Sequence, residues 1–380
     1  MDFELDDEQK LLRDTTRGLL DRSYDTEALV EVKATPRGWS EDVWRRLAET
    51  GLLGLGFADE DGGSGAGPVE VGLMMTELGR RLAPEPVLDA VLVPGAVIAD
   101  VGSEAQRRKI LPAVTGGALL LAFAHAEPGL RWPAVDVSTR AVRQGDSWTI
   151  TGAKNPVPHG DCADTLVVSA SLPDGGVGLF LVDADAPGAI RTKYATHDGL
   201  RAAQIDFVDV AAEPLGDGAD ASDATVAIRA SHVRAQAALC AEAVGAMAEA
   251  LRLTTEYLRT RKQFGVPLAS FQTLTQRAAD MYVSLELARS MSLYATMSLA
   301  DGVVDPVVAS RAKLQIGRSA RHIGQESIQM HGGIGMTAEY AVGHYVSRLT
   351  AIEHTLGSTD DHLRVLVADV AGHDMVDVGD

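Results

Sequence analysis

The chain has 380 residues, 46% of them hydrophobic, which exceeds one typical domain and gives enough apolar mass for two or three units. A formal net charge of −19 excludes a nucleic-acid-binding face, which needs clustered Lys and Arg to meet phosphate. The apolar runs are too short to span a bilayer, the first residues are acidic where an export signal is basic, and two cysteines, Cys162 and Cys240, make no disulfide framework or metal-ligand spacing, so a cytoplasmic protein is expected.

Residues 1–118 read as a helical domain. Asp6, with Gln9 three positions on, has the capping-box pattern, and Leu11, Leu12, Leu19 and Leu20 follow it. Ser40 opens another helix. Glu41 and Asp42 suit the positive end of its dipole, and Val43, Trp44, Leu47 and Leu52 give it a buried side. The run from Asp59 to Pro68 is the richest in glycine, but its three leading carboxylates and lack of a following Lys argue against a phosphate cradle. It is expected as an exposed loop. Glu70 to Leu82 and Ser103 to Val114 carry two more helical patterns, the second capped by Ser103.

Between residues 119 and 218 the pattern changes to short strand-like runs. Ser147–Gly152, Thr165–Ser169, Val177–Val182 and Gln204–Val208 read as strands, separated by turns such as Pro173-Asp174-Gly175-Gly176. An antiparallel barrel or sandwich of roughly 100 residues is expected.

Residues 219–380 return to helix. One pattern runs from Asp223 to about Tyr257. Ser270 is expected to cap the next, with Leu274, Ala278, Met281, Leu285 and Ala288 buried and a stop at Asp301-Gly302. Asp305-Pro306 opens a third, on which Val308, Ala312, Ile316, Ala320, Ile323 and Met330 share one face, with Arg311, Arg318 and Arg321 mostly opposite. A fourth is expected from Val342 to about Ala371. The lengths suit a four-helix bundle, so the fold class is α+β: helices, a β-unit, then a helical bundle.

Two stretches carry chemistry. In the first, Gln329 precedes Gly332, Gly333 and Gly335, which end a helix and let another group approach the main chain. The second joins two helices and holds Arg261, Gln263, Phe264, Leu268 and Gln272: a guanidinium fork, amides and an apolar platform. Alone, each is also compatible with a plain helix cap or interhelical turn.

Together, Arg-x-x-Phe-Gly from Arg261 and Gln-x-x-Gly-Gly-x-Gly from Gln329, followed by Glu339-Tyr340, resemble the acyl-CoA dehydrogenase family over essentially the whole chain. The runs Cys240–Met247, Tyr257–Gly265 and His331–Met336 most resemble the small subunit of pimeloyl-CoA dehydrogenase and related heteromeric bacterial subunits. The resemblance implies the acyl-CoA dehydrogenase fold and FAD as cofactor. It also implies an acyl-CoA substrate dehydrogenated between its α and β carbons, with electron-transfer flavoprotein as electron acceptor. Arg261, Gln263, Phe264, Leu268, Gln272, Gln329, Gly332 and Gly333 would contact the adenosine-diphosphate end of an FAD held mainly by a neighbouring subunit.

The departures are as informative. The family's Thr-Glu-Pro-x-x-Gly-Ser-Asp segment, which holds flavin in cis, is here Ala126-Glu127-Pro128-Gly129-Leu130-Arg131-Trp132-Pro133, and Trp-Ile-Thr-Asn becomes Pro156-Val157-Pro158-His159. Hydroxyls and N–H groups are missing at Ala126, Trp132, Pro156 and Pro158. A carboxylate base must reach the α-proton. The two positions where the family carries it are Leu356 and Ala235, with Glu353 and Glu242 the nearest substitutes. Glu353 is expected at the surface and Glu242 as a buried or interfacial hydrogen-bonding group. His197, Asp198 and His354 show no catalytic spacing and are expected on loops or surface.

Three readings follow. In the favoured one the chain is the base-lacking subunit of a heteromer, two copies with two of a homologous larger subunit. The second is a self-sufficient homo-oligomer using Glu353 or Glu242. The third is a scaffold or acyl-CoA-binding subunit without flavin contact. Dicarboxylic, steroid side-chain and fatty acyl thioesters all remain open.

Overall fold

The computed structural model describes residues 4–145, 147–218 and 220–370, and its first part is helical. α1 (Asp7–Ser23) starts with the expected box: Gln9 N donates to the Asp6 carboxylate at 2.8 Å and Asp6 N to Gln9 Oε1 at 3.2 Å. α2 (Thr26–Ala34), capped by Asp25, adds to the expected helices. Ser40 caps α3 (Glu41–Glu49), which buries Val43, Trp44 and Leu47. The acidic glycine run is a loop with Asp59, Glu60, Gly62, Ser64 and Gly65 exposed, as expected, but it is pinned to the protein at two points. Asp61 is buried against Arg107 at 3.0 Å, and a Cβ on Gly63 would lie 2.0 Å from the Phe57 carbonyl oxygen. Main chain packs directly on main chain there, which glycine alone permits. α4 (Pro68–Arg81) follows, then a π-helical turn, Val87–Leu92, that runs into α5 (Val93–Val101). Ser103 caps α6 (Glu104–Thr115) with Gln106 as its box partner.

β1 (Leu121–Ala124), β2 (Arg140–Gln144), β3 (Ser147–Pro158), β4 (Thr165–Ser171), β5 (Val177–Asp183), β6 (Ala189–Ala195) and β7 (Arg201–Pro214) form a seven-stranded sheet among the described residues. β1 and β2 both pair with β4 in parallel, so the expected antiparallel unit is corrected to a mixed sheet. Parallel neighbours need a crossover, and β2 and β3 supply it between β1 and β4. Ile150, Leu166, Val168, Phe180 and Phe207 fill the sheet's own core.

The third part holds α7 (Thr225–Thr260), α8 (Gln272–Ala300), α9 (Pro306–His331), α10 (Ala341–His354) and α11 (Thr359–Asp369). α7 is buried over most of its circumference, as a central helix should be. Its many alanines let neighbours approach. At Gly245 an added Cβ would sit 1.9 Å from the Thr76 oxygen, and at Gly79 of α4 one would sit 2.0 Å from the Glu242 oxygen. Asp305 caps α9 as expected, with Val307 N at 2.7 Å, and α9 buries Val308, Ala312, Ile316, Ala320, Ile323 and Met330.

Two expectations here are corrected. Ser270 lies in a short 3-10 turn, Phe271 takes the cap position without a side-chain cap, and Leu274 and Ala278 are only half-buried. The expected single last helix is broken. Leu356 (φ 55) and Gly357 (φ 101) turn the chain, and Ser358 reopens it with a capping box to Asp361. Ala371 lies outside the described residues.

One buried ion cluster joins the three parts. Arg348 of α10 donates to both Glu242 oxygens of α7 at 2.6 and 2.9 Å and to Asp198, before β7, at 2.7 Å. Lys33 of α2 donates to the Asp198 carbonyl at 2.9 Å. Asp198 is therefore a buried joint, not the surface residue its loop position suggests.

Candidate functional site

The two motif stretches converge at one end of the bundle. α7 stops because Arg261 adopts an extended conformation, and a tight hairpin follows, with Phe264 and Gly265 at positive φ. α9 stops at Gly332, whose φ of 65 and ψ of −145 suit glycine. Beneath both ends lies an aromatic triad. The Tyr257 ring is 4.5 Å from His331 and 6.3 Å from Tyr340, centroid to centroid. Burial lowers the His331 pKa, keeping it neutral. Its Nδ1–H donates to the Ser327 carbonyl at 2.7 Å, leaving Nε2 to accept from Tyr340 Oη at 3.2 Å. Tyr257 lies one turn before Arg261 and His331 immediately precedes Gly332, so this triad fixes the two stretches to each other.

The side chains above the triad face outward. Arg261, Gln263, Gln272 and Gln329 are exposed, and Leu268 is half-buried. Phe264 is 92% exposed, its ring 6.2 Å from that of Phe271. A Cβ built on Gly332 or Gly333 meets nothing within 4 Å. This surface presents a cation, amide donors, an apolar ring and bare main chain, a set suited to a diphosphate joined to an aromatic ring system.

The seam between the sheet and the bundle is different in kind. Ala126 follows β1, and the loop after it is anchored by Glu127, which accepts from Ser138 N at 2.7 Å, Thr139 N at 2.9 Å and buried Lys154 at 2.8 Å. Burial opposes the Glu127 charge, yet Lys154, Ser138 and Thr139 hold its pKa at about 2. Arg131 is exposed. Trp132 turns inward: its ring lies 4.2 Å from that of buried His362, and a Cβ on Gly357 would meet it at 2.6 Å. Sequence reasoning singled out Trp132 as a substitution but gave no sign of its partner in α11.

Gln236, the residue after Ala235 in α7, donates its Nε2 to the Leu356 carbonyl at 2.8 Å, which ties the turn at Leu356 to α7 next to Ala235. A cavity of about 360 Å³ reaches Ala235 from between α4, α5, α7 and α8; Phe57, Leu88, Leu92, Val93 and Ala238 are among its walls. No Asp or Glu lines it among the described residues. At its edge Arg234 is paired with Asp100. Glu242 is the buried hydrogen-bonding group expected of it, held by Arg348. Glu353 is buried, correcting its expected place at the surface: it accepts from Thr359 N at 2.9 Å, tying α10 to α11. Burial opposes its charge, but Thr359 N–H, His354 and Arg321 keep its pKa below the ordinary value. His197 and His354 are exposed, as expected, and the described residues hold no cluster of metal ligands.

Comparison with known proteins accounts for this layout. Residues 6–118 match the acyl-CoA dehydrogenase N-terminal domain, 122–210 the middle domain and 226–371 the C-terminal domain. The acyl-CoA dehydrogenase IpdE2 of Mycobacterium tuberculosis is 30% identical over 96% of this chain and 98% of its own. The chain belongs to the acyl-CoA dehydrogenase family. Among solved structures, a variant of the Tcur3481-Tcur3483 steroid ACAD is 32% identical with a TM-score of 0.87, covering 96% of this chain and 99% of that one. The ChsE4-ChsE5 complex of M. tuberculosis (24%, TM-score 0.88, 99% and 100% covered) and a glutaryl-CoA dehydrogenase of Mycobacterium smegmatis with FADH2 (24%, 0.88, 98% and 96%) share the fold. The family is one of flavin-dependent oxidoreductases acting on acyl-CoA, and its cofactor is FAD. No helix among the described residues is long and apolar enough to cross a membrane.

Tested against FAD, the residues divide. The bundle end fits: its donors are exposed, and its glycines open onto free space among the described residues. The seam does not fit, since Ala126, Pro156 and Pro158 offer no side-chain or ring-nitrogen donors and Trp132 is packed onto the main chain at Gly357.

Proposed function

We propose that this chain is the base-lacking subunit of a heteromeric acyl-CoA dehydrogenase, two copies assembling with two of a homologous larger subunit. It lends the trans half of an FAD site to that partner, which supplies the flavin-ring contacts and the base. One observation carries the reading: exposed polar side chains and open glycines gather at the bundle end, while both family base positions are alkyl groups, Ala235 lining a cavity that no Asp or Glu among the described residues lines and Leu356 at the turn before α11.

In this arrangement Arg261 holds a pyrophosphate through a charged fork, and the amides of Gln263, Gln272 and Gln329 orient the nucleotide. Phe264 and Leu268 cover its apolar faces, and Gly332 and Gly333 admit it to the main chain. A bound FAD would supply the hydride acceptor for the acyl β-carbon. Removal of the α-proton falls to a partner carboxylate, since Leu356 and Ala235 cannot take a proton. Electron-transfer flavoprotein is the expected acceptor, and the solved relatives named as chain pairs or complexes support a heteromer.

The test is copurification with the partner and a flavin count per chain. Arg261→Ala in this chain should weaken FAD binding by the complex roughly 10- to 100-fold, the worth of a hydrogen bond to a charged group. Unchanged FAD affinity would sink the trans role.

A further inference from the structure

We propose that Trp132 and His362 form a clasp that closes the seam where a flavin-holding relative carries its cofactor, so that side chains dock this chain's β-unit onto its bundle. The inference rests on the reading above, in which the chain holds no FAD in cis. Trp132 belongs to the loop between β1 and β2, whereas His362 belongs to α11, so their tilted ring contact, 4.2 Å between centroids and 48° between planes, joins two parts of the molecule. Neither side is free to drift.

On the bundle side, His362 is fully buried and its Nδ1 meets Ser310 Oγ at 3.1 Å. Burial, with Lys313 nearby, lowers its pKa to about 4, so the ring is neutral and meets the indole as an aromatic partner at a tilt. The turn beneath Trp132 is also fixed: Leu356 and Gly357 hold positive φ, and Gln236 grips the Leu356 carbonyl. Gly357 has no room for a side chain because Trp132 Cε3 already stands 2.6 Å from where its Cβ would be. On the sheet side, Glu127 holds the base of the loop through Ser138, Thr139 and Lys154. Swinging Trp132 away would uncover His362, whose Nε2 has no hydrogen-bond partner among the described residues. The indole therefore fills space that a cofactor in cis would have to enter.

The test uses the purified full chain. Wild type should retain no flavin after gel filtration with excess FAD, and its Tm should not move when FAD is added. Trp132→Ala should lower the Tm by several degrees and speed proteolysis between β1 and β2, whereas Trp132→Phe, which keeps a ring on His362, should recover most of both. Trp132→Ala with wild-type Tm and proteolysis overturns the clasp alone. Stoichiometric FAD on the wild-type chain overturns it together with the reading it rests on.

Discussion

Replacing Glu85 with Gln is expected to remove a pH dependence of stability and to stabilise the protein in alkali. Glu85 is 6% exposed, at the turn between α4 and α5. Its Oε1 accepts from Tyr24 Oη and from Ser40 N, and its Oε2 has no partner among the described residues. Burial drives the carboxyl pKa up to about 7, against the pull of Tyr24 and Ser40. A raised pKa means that the folded state binds the proton more tightly. The stabilisation is complete below the unfolded pKa and is lost as pH rises through about 7. At about 1.4 kcal/mol per unit of pKa, the loss between pH 5.5 and 8.5 is about 2 kcal/mol. Gln keeps the accepting oxygen and cannot ionise. Urea unfolding of both proteins across that window isolates the effect, because every other titrating group cancels in the difference. A difference that stays flat with pH would refute the buried, proton-binding carboxyl.

Arg348→Met should lower stability by about 3–5 kcal/mol, since it strands Glu242 and Asp198 in the interior; chemical unfolding measures it. Burial opposes the Asp198 charge, but Arg348 holds its pKa below normal, so its wild-type contribution is present near neutrality and fades as pH falls into the acid range. Arg348→Met should show a shallower acid slope. Gly245→Ala should destabilise by roughly 1–3 kcal/mol by forcing α7 from α4, a loss that thermal unfolding would show; an unshifted Tm would contradict the 1.9 Å approach.

Legibility in the sequence followed the range of the forces involved. Caps at Asp6, Ser40, Ser103 and Asp305 were readable because each is a local exchange between a side chain and an N–H a few residues on. The same logic could have located the break in the last helix, since Ser358 with Asp361 is a capping box of the same type. It was obscured by the continuous helical pattern on either side of Leu356. The π-helical turn at Val87–Leu92 has no simple period, β1 and β2 are short, and β6 is of mixed polarity, so hydrophobic alternation did not mark them. Paired motifs pointed to both halves of the bundle-end surface, but not to the Tyr257–His331–Tyr340 triad that joins them. That triad, like Asp198 with Arg348 and Trp132 with His362, links residues far apart in the chain, where no local pattern reaches.

The same distinction bears on a self-sufficient enzyme using Glu242 or Glu353. A general base must offer a free carboxylate oxygen to a carbon-bound proton. Both Glu242 oxygens are engaged by Arg348, and the same guanidinium holds Asp198 and, through it, Lys33. Taking Glu242 toward a substrate would leave Arg348 short of one counterion inside the protein, a loss of several kcal/mol that the reaction would have to recover on each turnover. Glu353 is set in the turn that starts α11, and drawing it away would release the Thr359 N–H at that helix start. Leu356 and Ala235 cannot ionise at all. Using Glu242 or Glu353 as the base would thus require dismantling either the joint between the three parts or the start of the last helix, whereas the proposed use of Arg261, Gln272 and Gln329 by a neighbour would disturb neither.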